Sequence, residues 1–343
     1  MYKTILLITA VVLLAGCQQQ PRKEYGPRQN TLNLYLTVNC LDKNSWQHIL
    51  NDLEKKLDCT IFTTFFSDGL AILEKLEAES DSISEVDLII GIDNTVFPLL
   101  IGKNLLRENS EFPVERIKTQ LVIDKQKRFI PFAHSQMAFI YDRRKLNNPP
   151  VTFGEIQDGI WKNKMIFYDP AHTSLGKATL IWSVAAFGEN GYGHFWRSVK
   201  ENIFRTCQDF DEGYTMFLAK QADLILALST IPLYHTFVDS IDNMDYIIPR
   251  EGGFTFIKGM GIYSKSENIE LSLQVMEYLL SKEFQELIPR SIWMLPVVEG
   301  ISLPEPFNSI SLPSQDYTSE ISIKNQQRYS RNWLEKWQRI MKD

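Results

Sequence analysis

Short apolar runs of strand length alternate with stretches whose apolar residues recur at helical spacing, and this alternation constrains the fold more than any other feature of the chain. Leu32 to Val38 reads as a strand, and Ser45 to Leu57 places Trp46, Ile49, Leu50, Leu53 and Leu57 on one helical face. Cys59 to Phe66 gives a second strand, Gly69 to Ala78 a second helix, and Val86 to Ile92 a nearly unbroken apolar third strand. A strand apolar on both faces belongs inside a sheet covered by helices on each side, so the pattern predicts an α/β fold with mostly parallel sheets. A fresh series includes Phe129 to Phe132, Met137 to Tyr141, Lys164 to Tyr168, a helix from Gly176 to Phe187 and a buried strand from Ala222 to Leu228.

The 343 residues are enough for two domains. We read two lobes, the second inserted into the first, with residues 31–133 and 247–315 as lobe 1 and 134–246 as lobe 2. The chain is expected to cross near Phe132 to Ser135 and Asp239 to Arg250. Trp333, Trp337 and Ile340 share a helical face, so 316–343 is expected to form a C-terminal helix packed on a lobe. With 36 basic against 42 acidic residues and no dense Lys/Arg block, the chain offers no broad cationic field for nucleic acid.

The first residues read as an export signal. Lys3 precedes an apolar stretch, Ile5 to Leu14, that is too short to span a bilayer. Leu14-Ala15-Gly16-Cys17 resembles the bacterial lipobox, which implies cleavage of residues 1–16 and lipid attachment at Cys17. The polar tract that follows, 17–30 with Pro21, Gly26 and Pro27, reads as a tether. The mature protein is then expected outside the cytoplasm, lipid-anchored to a bacterial membrane and facing the periplasm. An exported body permits a disulfide, and of Cys40, Cys59 and Cys207 the nearest pair is Cys40 with Cys59.

In open α/β sheets ligands collect beyond the carboxyl ends of strands. Those segments are polar here: Ser67-Asp68-Gly69, Asp93-Asn94-Thr95 and Asp169 to Gly176. Thr173 and Ser174, just before a helix, suit either helix capping or an anion at the helix end. Asp68, before Leu70, likewise suits an N-cap as well as a ligand. Gly176-Lys177-Ala178 lacks the glycine and hydroxyl residue of a phosphate-binding P-loop, with Ala171 and Ala178 in their places, which argues against nucleotide hydrolysis.

Taken in order, a set of segments resembles the thiamine-binding periplasmic proteins of ABC importers, within the type II solute-binding class. They are Asp68-Gly69, Asp87 to Asn94, Phe129 to Phe132, Ala138 to Asp142 with Lys145 to Pro150, Tyr168-Asp169-Pro170, Asp223 to Leu226, Pro232 with Tyr234-His235, and Trp293 to Val297. The resemblance spans about residues 31 to 340. It implies a two-lobed receptor that closes on thiamine, thiamine monophosphate or thiamine diphosphate and hands it to a permease with its ATPase, as a monomer and without a cofactor. The ligand-contacting set it implies is Asp68, Thr37, Asp93, Thr173, Ser174, Phe210, Tyr214, Leu228, Tyr234 and Trp293. Asp68 would face the cationic thiazolium or the pyrimidine amine, the aromatics would stack on the rings, and Thr173 with Ser174 would meet a phosphate. Thr37, Leu228 and Phe210 stand where the family carries tyrosine, tyrosine and tryptophan.

Rival functions leave weaker traces. A ferric-ion receptor of this architecture takes adjacent tyrosines, and no Tyr-Tyr pair occurs; a metal-ligand spacing is also lacking. His48, His134, His172, His194 and His235 fall in no H-E-x-x-H motif, and no G-x-S-x-G elbow occurs, so no enzyme is expected. A related heterocycle as ligand, or a lipid-anchored adhesin or scaffold that has kept the fold without transport, completes the alternatives.

Overall fold

β1 (Thr31–Thr37) leads through α1 (Lys43–Leu57) to β2 (Thr60–Phe66), and β2 through α2 (Gly69–Ala78) to β3 (Leu88–Asp93). The three strands pair in parallel with β1 in the middle, since parallel neighbours need a crossover that the helices supply. Leu32, Leu34 and Leu36 of β1 and the whole apolar run of β3 are buried, as are Trp46, Ile49, Leu50 and Leu53 on the inner face of α1. These coordinates are a computed structural model that describes residues 30–79 and 85–342. The expected signal, Cys17 and all of the tether except its last residue lie outside the described residues.

After α3 (Phe97–Gly102) comes β4 (Ile130–Asp142), 13 residues in one strand where the sequence suggested two. It is followed by α4 (Phe153–Ile156), β5 (Met165–Tyr168), α5 (Ser174–Val199), β6 (Ile203–Cys207), α6 (Phe210–Leu218), β7 (Leu224–Leu228), α7 (Ile231–Tyr234) and β8 (Met244–Ile247). The chain closes with β9 (Thr255–Ile262), α8 (Ile269–Leu279), α9 (Lys282–Ser291), β10 (Leu295–Pro296) and α10 (Ile323–Lys342). The strand order is β2-β1-β3-β9-β4-β7-β5-β6, with β10 and β8 also on β4.

β4 belongs to both halves of this sheet. Its residues from Ile130 to Gln136 pair with β9, and those from Met137 to Tyr141 pair with β7. The return crossing runs between β8, which pairs with the end of β4, and β9, which pairs with its beginning. Polar side chains hold this junction: Gln136 Nε2 donates to Thr255 Oγ1 at 2.7 Å, and the Ser135 and Thr230 hydroxyls lie 3.1 Å apart. Behind it, buried Gln285 satisfies all of its amide, donating to the Phe132 and Leu279 carbonyls and accepting from Val297 and Val298.

The Cys40–Cys59 bond, which the sequence permits and leaves open, is not formed, and Cys40, Cys59 and Cys207 are free thiols. Because β1 and β2 run parallel, Cys40 lies beyond the end of one strand and Cys59 before the start of the other, about 20 Å apart at 3.3 Å per residue. The C-terminal helix begins at Ile323 and packs on α5 and on α3, so it rests on both halves rather than on one. Gly188, at φ 69°, kinks α5. Beyond the kink, Glu189 accepts from Trp333 Nε1 at 2.9 Å and Trp196 meets Trp337 edge to face.

Candidate functional site

The carboxyl ends of β1 and β3 and the loop after β2 face the carboxyl ends of β5, β6 and β7 across the junction. Thr37, Asp68 and Asp93 from one side and Tyr168, Thr173, Ser174, Asp209, Phe210 and Leu228 from the other line one cavity between the halves, closed off by Trp293. The cavity is small, about 70 Å³, because the lobes already touch across it.

Asp68 makes the central contact. It is the N-cap of α2, its Oδ1 accepting from Leu70 N at 2.9 Å and Ala71 N at 3.2 Å. Its other oxygen, Oδ2, reaches across the cavity to accept the Ser174 N–H at 2.9 Å. Two helix starts, one from each lobe, therefore share one carboxylate, and each contributes the positive end of its dipole. Burial nevertheless pushes this carboxyl up to about 6, opposed by those three backbone donors and aided by the nearby charge of Asp93.

Asp93 ends β3 within a tight polar turn. Its Oδ1 accepts from Thr95 N at 2.9 Å and Val96 N at 3.1 Å, while its Oδ2 is buried without a hydrogen-bond partner. Lys177, in the first turn of α5, is buried, and desolvation lowers its ammonium to about 8 against the pull of Asp93. Thr37 donates to the Gly91 carbonyl at 3.1 Å. Gly91 has φ 92°, and a Cβ there would stand 1.9 Å from Thr37 Oγ1, so the bulge at the end of β3 requires glycine.

The aromatic wall is built in two layers. Phe210 lines the cavity and is stacked against Tyr214 with ring centroids 5.1 Å apart. Trp293 lines it from the other side, its carbonyl held by Thr230 Oγ1 at 2.6 Å. Tyr214 and Tyr234, expected in the ligand set, do not line the cavity; they stand behind Phe210 and Trp293. The cause is their own partners. Tyr214 is directed at His235 Nε2, whose Nδ1 meets Asp239 Oδ2 at 2.7 Å, and Tyr234 packs edge-on between His235 and Trp293.

Thr173 and Ser174 occupy the start of α5 as the sequence suggested. The Thr173 hydroxyl is engaged in capping, donating to the Asp169 carbonyl and accepting from Gly176 N, both at 3.0 Å. Ser174 Oγ is buried and without a partner. Sequence reasoning missed Asp42, Asp209 and Lys258, which also line the cavity. Asp209 follows β6 as Asp68 follows β2, so the strand-end rule would have found it had β6 been recognised. Asp42, buried and raised by desolvation, had no such signal. Among the described residues no group of three or more His, Cys, Asp or Glu gathers as a metal site would need.

A model of the bacterial extracellular solute-binding protein family matches residues 84–317. The chain belongs to that family. The thiamine-binding periplasmic protein of Salmonella typhimurium is 27% identical to it over 288 residues, 84% of this chain and 86% of the relative. That of Escherichia coli is 26% identical over 291 residues, with the same shares covered. Among solved structures, a periplasmic thiamin binding protein superposes with a TM-score of 0.83 at 23% identity, covering 92% of this chain and 98% of that one. A ferric binding protein from Campylobacter jejuni reaches 0.77 at 18% identity, covering 90% and 99%. The protein is thus a solute-binding member with the two-lobed α/β architecture of periplasmic binding proteins, and its relatives are receptors rather than enzymes.

Proposed function

We propose that the protein captures thiamine or its phosphate esters by closure of two lobes and delivers it to an ABC permease. The observation that carries this reading is that curated relatives matching 84% of the chain are thiamine-binding proteins. The cavity supplies what such a ligand asks for. Phe210 and Trp293 offer aromatic faces to its rings, and cation–π attraction to a charged ring contributes about 0.5–2 kcal/mol per face. Asp68, ionised above about pH 6, opposes the thiazolium or accepts from the pyrimidine amine, and Ser174 Oγ has hydrogen-bonding capacity to spare.

Lobe 1 in this reading is 31–133 with 247–315 and lobe 2 is 134–246, supported by the change of β4's partners within the strand. Solute entry requires the lobes to part, which breaks the Asp68–Ser174 contact. Ligand bridging both walls then restores the closed form, a shift of population driven by contacts made to both sides. Cys17 carries the lipid that holds the receptor at the membrane, with the tether to 30 giving it reach. Calorimetric titration with thiamine tests the proposal: a saturable one-site isotherm supports it, and the absence of heat overturns it.

A further inference from the structure

Behind the cavity, both of its aromatic faces lead back to one side chain. α7 runs on into a single wide turn, His235–Asp239, which sets Asp239 over His235 four residues earlier. His235 is buried, its Nδ1 2.7 Å from Asp239 Oδ2 and its Nε2 against the Tyr214 hydroxyl. A carboxylate only accepts, so it keeps the imidazole proton on Nδ1 and leaves Nε2 to accept from Tyr214. From that ring two paths reach the cavity, each through one tyrosine. Tyr214 stacks on Phe210, while Tyr234 stands edge-on to the imidazole at 5.4 Å and edge-on to Trp293 at 5.0 Å. Phe210 and Trp293 line the cavity from different sides, and a single imidazole backs both.

Resting on the thiamine reading above, we infer that Asp239 is a positioning residue for the ligand: it stands outside the cavity and, by fixing the tautomer and tilt of His235, sets the angle of the two rings that hold the solute. Sites keep their geometry through such outer partners, which lock the groups that lock the ligand-facing ones. The turn itself has no need of the bond. Its backbone closes without Asp239's side chain, since the Ser240 and Ile241 N–H groups both donate to the His235 carbonyl and the Thr236 hydroxyl donates to the Pro232 carbonyl. What the carboxylate adds is the choice of imidazole nitrogen and a fixed pivot for the ring.

Nitrogen-15 NMR of the histidine-labelled whole protein, with His235→Gln to assign the signal, and calorimetric titration with thiamine test the inference together. The unaltered protein is expected to carry the His235 proton on Nδ1. With its side chain 39% exposed, Asp239 can be replaced without opening a hole in the core. Asp239→Ala is expected to lose the tautomer preference and to bind thiamine roughly fivefold more weakly, short of the loss of a whole aromatic face. Asp239→Asn, whose amide oxygen still accepts from Nδ1, is expected to keep the tautomer and an affinity within about twofold. A proton on Nε2 in the unaltered protein overturns the inference, whether or not the variants fold. So does unchanged affinity in a folded Asp239→Ala, or an equal loss in the alanine and asparagine variants, which would assign the effect to charge rather than to the bond. If the unaltered protein binds no thiamine, the vitamin reading falls and takes this role with it, a result distinct from the others because the tautomer is read without ligand.

Discussion

Trp293 stands edge-on to Tyr234, with ring centroids 5.0 Å apart and planes 81° from parallel. The arrangement puts the indole at the cavity and the phenol behind it, so in the proposed function the first ring is the one a solute would meet and the second holds its angle. Trp293→Ala is expected to weaken thiamine binding by about 1–2 kcal/mol, roughly tenfold. Tyr234→Phe keeps the edge contact and should change affinity by less than about 0.5 kcal/mol. Calorimetry on both variants checks the order; an equal loss in the two would show that the wall is not layered in this way.

The pH dependence of stability follows from Asp68. Its ordinary value is 3.8 and burial lifts it to about 6 in the folded protein, so between those values the folded state holds more protons than the unfolded chain. Unfolding free energy therefore falls as pH rises through that window and levels off above it, by about 3 kcal/mol in all. Urea unfolding of Asp68→Asn across the same range should show a flatter profile. Thiamine affinity in the unaltered protein should weaken as pH drops through about 6 and the carboxylate is neutralised.

Removing the Tyr214 hydroxyl leaves His235 Nε2 buried without its partner. Tyr214→Phe is expected to cost about 1–3 kcal/mol of stability, read from the shift in urea midpoint. Thiamine affinity should change little, because Phe210 keeps its stacking surface.

Gly91 admits no side chain. Gly91→Ala forces a Cβ onto Thr37 Oγ1 at a positive φ, and the combined strain and clash should destabilise the protein by about 3 kcal/mol or more. Pairing it with Thr37→Ala removes the hydroxyl clash but leaves a tight 3.0 Å contact with Cβ and the backbone strain, so the double variant should recover only part of the loss by thermal melting.

The sequence announced the strands whose residues are apolar throughout, such as Leu88 to Ile92, because burial on both faces leaves no ambiguity of period. β9 was silent: Lys258, Gly259 and Gly261 interrupt it, and it exists because β3 and β4 pair on either side of it. β4 read as two pieces because Ala133, His134, Ser135 and Gln136 are small or polar, and two of these make the junction's hydrogen bonds. Asp68 was legible from its place after a strand and before a helix. Its second contact, to Ser174 106 residues away, was not, since nothing local records which helix from the other lobe will arrive.

α10 touches both α5 and α3, adding a third tie to the two backbone crossings. For the closing receptor we propose, a stay of this kind would limit how far the halves part, and Trp333 and Trp337, seated against Glu189 and Trp196, would share in setting that limit.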